Sequence, residues 1–129
     1  MGKTDYAEAK VLDHLNGKTS FTMPTAYVAL FTAAPSDSGG GTEVTGGSYA
    51  RVATTGSTWA AASSGSTSNA AVVTFPTASA SWGTVTHYAT FDASSGGNML
   101  RWAALTVSKT IGSGDTAAFA IGALAQTED

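Results

Sequence analysis

The sequence contains no cysteine, and this absence removes several classes of chemistry at once. Disulfide bonds, thiolate nucleophiles and cysteine-based zinc or iron–sulfur sites are excluded. Charge is also scarce, because Asp, Glu, Lys and Arg make up 12% of the 129 residues, about half of the usual share near 25%. Uncharged Ser, Thr, Gly and Ala must therefore cover the surface. Such a surface suits a protein whose faces are partly covered by neighbours, the alternative being a neutral but soluble monomer.

Basic clusters and long apolar runs are missing as well. The six Lys and Arg residues are scattered among nine acidic residues, with a net charge of −3. Nucleic acid is therefore not an expected partner, because binding to phosphates needs a basic patch. No apolar run approaches the roughly 18 residues of a membrane span, and the start at Met1 lacks the apolar core of a signal peptide. We expect a protein that is made in the cytoplasm and does not enter a membrane.

Patterns that would carry catalysis or bind a metal are also lacking. His14 and His87 are the only histidines, and neither has a second histidine at ligand spacing. His87 lies between apolar residues, so packing in the core or an interface is expected of it rather than a functional role. The glycine-rich segment Ser38–Thr42 lacks the Lys-Ser/Thr ending of a phosphate-binding loop and is interpreted as a flexible surface loop. No Gly-x-Ser-x-Gly motif occurs.

Two weaker possibilities concern calcium and sugar. Four acidic residues fall in predicted loops, without the dense spacing of a calcium loop: Asp37, Glu43, Asp92 and Asp115. Six aromatic residues could be imagined as a sugar-binding platform, but aromatics in strands more often pack in cores and interfaces: Trp59, Trp82, Trp102, Tyr27, Tyr49 and Tyr88. We therefore expect no catalytic residue, no metal ligand and no cofactor.

A single helix is predicted at the start of the chain. Asp5 can serve as its N-cap with the Glu8 carboxylate three residues on, and Asn16–Gly17 can end it. The predicted helix runs from Tyr6 to Leu15 and carries one apolar stripe, formed by Ala7, Val11, Leu12 and Leu15. At about three turns it would be marginal alone, so the stripe should dock on the domain or on a neighbouring subunit.

The remaining sequence predicts short strands separated by turns rich in Gly and Ser. In residues 26–32 both the odd-numbered and the even-numbered positions are mostly apolar. Since successive side chains of a strand point to opposite faces, this predicts a strand buried on both faces. Residues 84–91 alternate, with Val85, His87, Ala89 and Phe91 on one face, and should form an antiparallel hairpin with residues 99–106.

Three further segments complete the predicted strands and loops. Short strands are expected at residues 49–53 and 70–75, and residues 35–48 are expected to be a long exposed loop. The last strand is predicted over residues 116–124, with Ala117, Phe119 and Ile121 facing inward.

Six or seven short strands, without alternating helices or a repeat of fixed period, indicate an all-β fold. We predict an antiparallel β-sandwich or jelly-roll-like domain with one short N-terminal α-helix. Residues 1–129 should form a single domain, in which residues 5–16 are a helical arm and residues 21–125 are the β-sandwich.

Several segments, taken in order, resemble a known group of proteins. They are Val11–Leu15, Tyr27–Pro35, Gly39–Val44, Gly47–Arg51, Val73–Thr77, Trp82–His87 and Phe91–Ala93. Together they resemble small virion proteins of tailed bacteriophages and prophages, variously described as tail-fibre, structural or head decoration proteins. The resemblance covers nearly the whole chain. It implies a component of the virion, assembled in the cytoplasm of the host bacterium, without catalytic residues.

Two functions are compatible with this resemblance. The first is a capsid decoration (cement) protein that binds the major capsid protein on the head surface, as a homotrimer, and stabilises the shell. The alternative is a tail-associated or tail-fibre component that binds tail proteins and contacts the host surface through the variable loops 35–48 and 92–98. Whether these loops bind a glycan stays open. An enzyme that degrades glycans would need two carboxylates flanking a cleft, and nothing in the sequence pairs them.

Overall fold

The computed structural model describes residues 2–128, in which one α-helix precedes antiparallel β-structure. The elements in chain order are β1 (Gly2–Lys3), α1 (Asp5–Leu15), β2 (Tyr27–Ala33), β3 (Thr42–Glu43), β4 (Val52–Ala53), a 3-10 helix (Gly56–Thr58), β5 (Ser66–Thr67), β6 (Val73–Thr74), β7 (Gly83–Phe91), β8 (Met99–Ile111), β9 (Ala118–Phe119) and β10 (Gln126–Thr127). The predicted fold class, an all-β domain with one short N-terminal helix, is confirmed.

One six-stranded antiparallel sheet forms the first layer. Its strand order is β1-β8-β7-β2-β3, and β4 pairs with the start of β2. Strands β7 and β8 form the predicted antiparallel hairpin, in which Phe91 lies opposite Met99 and Thr90 opposite Arg101. Two small two-stranded sheets, β5 with β10 and β6 with β9, belong to the second layer.

The main hydrophobic core lies between these two layers. The sheet contributes buried side chains such as Val28, Leu30 and Tyr88, and the second layer contributes Phe75 and Phe119. A smaller core lies on the opposite face of the sheet and consists of Ala29, Phe31, Ala89, Phe91 and Met99, with Trp102 packed against it. Strand β2 thus contributes alternate residues to both cores, and its predicted burial on two faces is confirmed.

Strand β7 does not keep the predicted alternation along its whole length. Val85 lies in the main core together with Tyr88, whereas Ala89 and Phe91 lie in the smaller core. The pairing between β7 and β8 shifts register between Val85 and His87. A β-bulge at this point reverses the face on which the preceding residues lie, which a pattern of strict alternation cannot foresee.

The helix differs from its prediction in its N-cap and in its burial. Thr4 is the N-cap, because its side-chain oxygen accepts a hydrogen bond from the Ala7 backbone N–H, and Asp5 is the first helical residue. Of the predicted apolar stripe only Ala7 is buried, whereas Leu12 is 60% exposed and Leu15 is 75% exposed. The helix therefore docks on the domain by its first turn, and its C-terminal end projects into solvent.

Two other segments were predicted incorrectly. Residues 35–48 are not an entirely exposed loop, since β3 pairs with β2 and Val44 is buried in the main core. The last strand is shorter than predicted: only Ala118–Phe119 is extended in a sheet, and Ile121 is 67% exposed. The chain turns at Gly122, whose φ of 86° is left-handed, and so Leu124 rather than Ile121 reaches the core.

Candidate functional site

A groove of about 600 Å³ lies above the smaller core. Its walls come from residues 37–43, residues 96–99 and the start of helix α1, and Phe31 and Phe91 form its floor. The two loops that the sequence analysis named as a variable face thus meet at one site. The rings of Phe31 and Phe91 stack almost in parallel, with their centroids 6.2 Å apart.

Arg51 fixes both walls of this groove. Its Nε and Nη2 donate hydrogen bonds to the two carboxylate oxygens of Glu43, at 2.9 and 2.8 Å. Its Nη1 donates to the backbone carbonyls of Ala93 and Gly96, at 2.9 and 2.8 Å. The guanidinium also lies 3.7 Å from the centroid of the Phe91 ring. One side chain therefore connects the loop after β2 with the loop after β7.

This arrangement leaves Arg51 little capacity to bind a ligand. Four of the five N–H donors of a guanidinium are used, one face of the group lies against Phe91, and the side chain is only 7% exposed. The hydrogen bond with Glu43 raises the pKa of Arg51 further above its usual value. Its role is to hold the loops in place.

Tyr49 extends this network into the main core. Its hydroxyl donates to Glu43 at 2.6 Å and accepts from the Leu30 backbone N–H at 3.1 Å. Burial and the hydrogen bond to Glu43 raise the pKa of the phenol far above its ordinary value. We use the name Arg51 network for Glu43, Tyr49 and Arg51 together with the backbone carbonyls of Ala93 and Gly96.

Two glycines let the loops take their shapes. Gly41 has a φ of 75°, and a Cβ there would lie 2.8 Å from the Pro35 backbone. Gly97 has a φ of 73°, and a Cβ there would lie 2.6 Å from both the Ala93 Cβ and an Asp92 carboxylate oxygen. A larger residue at either position would meet both left-handed strain and a collision.

The loop after β7 is also closed by its own side chains. Asp92 accepts hydrogen bonds from the backbone N–H and the side-chain amide of Asn98, at 2.7 and 2.9 Å. Partial burial by itself would raise the pKa of Asp92, but these hydrogen bonds hold it below its usual value. The Asp92 carboxylate, one of the four acids that the sequence analysis placed in loops, therefore stabilises the turn of its own loop.

A second groove, of about 560 Å³, lies along β8 beside both ends of the described chain. At its edge the Glu128 carboxylate forms ion pairs with Lys3 on β1 and Arg101 on β8. Arg101 also donates to the Thr127 carbonyl at 2.8 Å, and the Glu128 N–H donates to the Gly65 carbonyl at 2.6 Å. Partial burial by itself would raise the pKa of Glu128, but the hydrogen bonds from Lys3 and Arg101 outweigh it, and the pKa lies below its usual value. These contacts fasten the C-terminal segment to the sheet.

The structure does not bring the histidines together. His87 is half-buried, shares a 2.8 Å hydrogen bond with the Thr86 hydroxyl and lies 5.9 Å from the Trp102 ring. His14 accepts a hydrogen bond from the Phe21 backbone N–H at 3.1 Å. Both side chains are thus engaged in local structure.

The loop acids and aromatics also take part in local structure. Asp115 accepts a hydrogen bond from the Gly112 N–H within its own turn. Trp82 is buried in the main core, where its indole N–H donates to the Gly47 carbonyl at 2.9 Å. Trp102 donates to Asp37 at 3.1 Å. Within residues 2–128 no three His, Asp or Glu residues are grouped as a metal site. Four of the six aromatics named from the sequence lie in the main core or pack against it: Tyr49, Trp59, Trp82 and Tyr88.

The Arg51 network was missed by the sequence analysis. Its signal was present, because Arg51 is one of only six basic residues and Glu43 lies across the Gly46–Gly47 turn from it. What spacing alone cannot give is the contact with residues 93–96, which depends on β2 and β7 being neighbours in the sheet.

Comparison with known proteins identifies the family. A family model described as podophage GP4 fiber I protein gp80 matches residues 2–127. The chain belongs to this podophage fibre protein family. It is a structural protein of the phage virion, as the resemblance noted from the sequence implied. None of the curated proteins compared with the chain is similar to it. Among residues 2–128 of this fibre-family protein, no helix is long and apolar enough to cross a membrane.

Proposed function

We propose that this protein is a non-enzymatic building unit of a podophage fibre. The observation that carries the proposal is the match of the fibre family model to residues 2–127. The structure is compatible with it, because Glu43 and Arg51, which line the larger groove, bind each other within the Arg51 network.

The loop face around the larger groove is the part of the unit that we assign to contact with the host surface. Both loops are fixed before any partner arrives, since Arg51 binds Glu43 on one side and Ala93 and Gly96 on the other. A rigid site loses less entropy on binding than a mobile one. The rim also carries the exposed polar side chains of Asp5, Ser38 and Asn98.

The capsid decoration function stays a second candidate, as do its expected partner, the major capsid protein, and its homotrimeric state. One observation favours it: the C-terminal half of helix α1 projects from the domain with Leu12 and Leu15 exposed. An apolar helical arm is suited to dock on a neighbouring subunit. The same arm could dock on a neighbouring fibre or tail protein, so it does not separate the two functions by itself.

Copy number separates the two functions. The protein would be quantified in purified virions by mass spectrometry against the major capsid protein, and gold-labelled antibodies would locate it by electron microscopy. The fibre proposal predicts a few tens of copies or fewer and label at the tail. Hundreds of copies, with label over the head, would contradict it and support decoration of the capsid.

Host contact is tested separately. Purified protein should compete with phage for adsorption to host cells, and substitution of the exposed rim residue Ser38 by Ala should weaken this competition. Substitution of Ser113, an exposed residue of a turn that does not line the larger groove, is the matched control. Equal competition by both variants would remove the groove from the host-contact proposal but leave the fibre location intact.

A further inference from the structure

The apolar side chains at the base of the larger groove offer little surface to a partner. Phe31, Phe91 and Met99 line the groove but are only 2%, 8% and 8% exposed. A protein partner binds through aromatic or aliphatic anchors that need apolar surface on both sides. The groove volume of about 600 Å³ is within the range of about 300–1,000 Å³ found for small-molecule sites. The groove is therefore suited to a polar ligand of limited size, such as a short stretch of glycan.

The positive charge that lines this groove is already used by the protein. Among residues 2–128, Arg51 is the only basic residue in the lining. Its side chain is 7% exposed, and four of its five N–H donors are occupied within the Arg51 network. Lys3 and Arg101 bind Glu128 at the second groove instead. A carboxylate or phosphate on a ligand would therefore meet no available cation in the lining of the larger groove.

The N-terminus of helix α1 also lines the groove, but it does not replace that cation. The start of a helix attracts anions through its unpaired N–H groups. Here the Thr4 side chain accepts from the Ala7 N–H, and the Asp5 N–H donates to the Asp37 carbonyl at 2.8 Å. The first turn also carries the carboxylates of Asp5 and Glu8. The protein's own acidic residues thus balance the partial positive charge of the helix.

The exposed charges on the groove wall are negative. Asp5 and Asp37 line the groove, and both are exposed. Asp37 accepts a hydrogen bond from the Trp102 indole N–H at 3.1 Å, and a carboxylate has about four acceptor positions, so it can accept further hydrogen bonds. Lys10 lies 5.5 Å from the centroid of the Tyr6 ring and balances at most one of the two charges. The wall therefore offers hydrogen-bond acceptors and repels anions.

We propose that the larger groove binds a glycan without acidic groups, whose hydroxyl or amine groups donate hydrogen bonds to Asp5 and Asp37. Glycans that carry carboxylates or phosphates are excluded, because like charges brought together at an interface weaken the wrong complex. This inference rests on the proposed function, since it takes the loop face as the surface that contacts the host. It adds the chemical class of the receptor.

The experiment applies the purified full chain to an array of defined bacterial oligosaccharides of equal length. The array holds neutral members, members with free amines, and members with uronic acids or phosphates, and calorimetry gives the affinity of each class. At low salt the neutral and amine-bearing members should bind at least about tenfold more tightly than the acidic ones. The difference should shrink near 1 M salt, where charges are screened within about 3 Å. Preferential binding of the acidic members would overturn the proposal.

Two matched variants locate the discrimination in the groove. Asp5→Asn removes one negative charge from the groove wall and should raise the affinity for acidic members by about threefold or more at low salt. Glu8→Gln is the control, because Glu8 is an exposed acid of the same helical turn that does not line the larger groove. Equal changes in both variants would assign the effect to the net charge of the protein and overturn the proposal. Circular dichroism would verify that both variants are folded.

Failure of this inference is distinguishable from failure of the proposed function. If no oligosaccharide bound while the purified protein still competed with phage for adsorption, the glycan inference would be wrong. Host contact would then stand, with a protein receptor in place of a glycan. Absence of both binding and competition would contradict host contact itself.

Discussion

Arg51→Met is the substitution that most directly tests how the groove is built. Methionine keeps much of the volume of the side chain but removes all four hydrogen bonds and the contact of the charge with Phe91. Glu43, whose side chain is 23% exposed, then loses its counter-charge. Removal of one partner of a buried ion pair costs about 3–5 kcal/mol. Because Glu43 retains some contact with water, we expect a loss near the lower limit, about 3 kcal/mol.

The assay is urea unfolding followed by tryptophan fluorescence. With a slope of about 2 kcal/mol per M for a domain of this size, the midpoint should fall by roughly 1.5 M. Arg51→Lys should lie between the wild type and Arg51→Met, since lysine keeps the charge but cannot form the two-pronged contact with Glu43. Lys18→Met is the control, because it removes one positive charge from an exposed residue.

A double-mutant cycle separates the ion pair from the rest of the network. The double variant Glu43→Gln/Arg51→Met should be less destabilised than the sum of the two single variants, because neither single variant leaves both partners satisfied. If Arg51→Met shifted the midpoint by less than about 0.3 M, or if the two substitutions were additive, Arg51 would not hold the loops as described.

Three further predictions concern other parts of the structure. Phe31→Asp should unfold the domain more severely than Phe91→Asp, because position 31 pairs with Glu43 whereas Phe91 lies under the Arg51 guanidinium; equal loss in circular dichroism melts would contradict this. Gly97→Ala should lower the melting temperature more than Gly96→Ala, since both have positive φ but only Gly97 has neighbours within 3 Å of a Cβ; equal shifts would mean that the collision is absent. The lowered pKa of Glu128 implies stability that is fully present above its usual value of about 4.5 and lost as pH falls through the lowered pKa. Glu128→Gln should therefore be less stable than the wild type at about pH 7, by a difference that shrinks as pH falls through the lowered pKa, and a difference independent of pH would refute this.

The parts of the fold that follow from local pattern could be predicted from the sequence. The apolar residues of β2 on both faces, the hairpin of β7 with β8 and the helix before Asn16 each depend on neighbouring residues. The features that were missed depend on non-local contacts. The bulge opposite Thr86 is set by how β7 and β8 pair, and Ile121 is exposed because Leu124 fills the core in its place.

The candidate site shows the same division. The sequence indicated that residues 35–48 and 92–98 are surface loops. Because β2 and β7 are antiparallel, these loops leave opposite ends of the two strands. They meet because, in the observed strand order, β3 and β4 run back along β2, with Glu43 opposite Phe31 and Val52 opposite Val28. The side chain that joins them is recognisable only once this order is known, because Arg51 contacts Gly96 across 45 residues of sequence.

The Arg51 network belongs to the framework of the domain, whereas much of the groove rim does not. Its members stabilise the smaller core and fix both loops, so substitutions among them should affect the whole domain. The rim residues Asp5 and Ser38 are exposed and lie outside this network. Changes at the rim can therefore alter what the loop face binds at little cost in stability. If the protein is a fibre unit as proposed, this separation would let its contact surface change while the framework is kept.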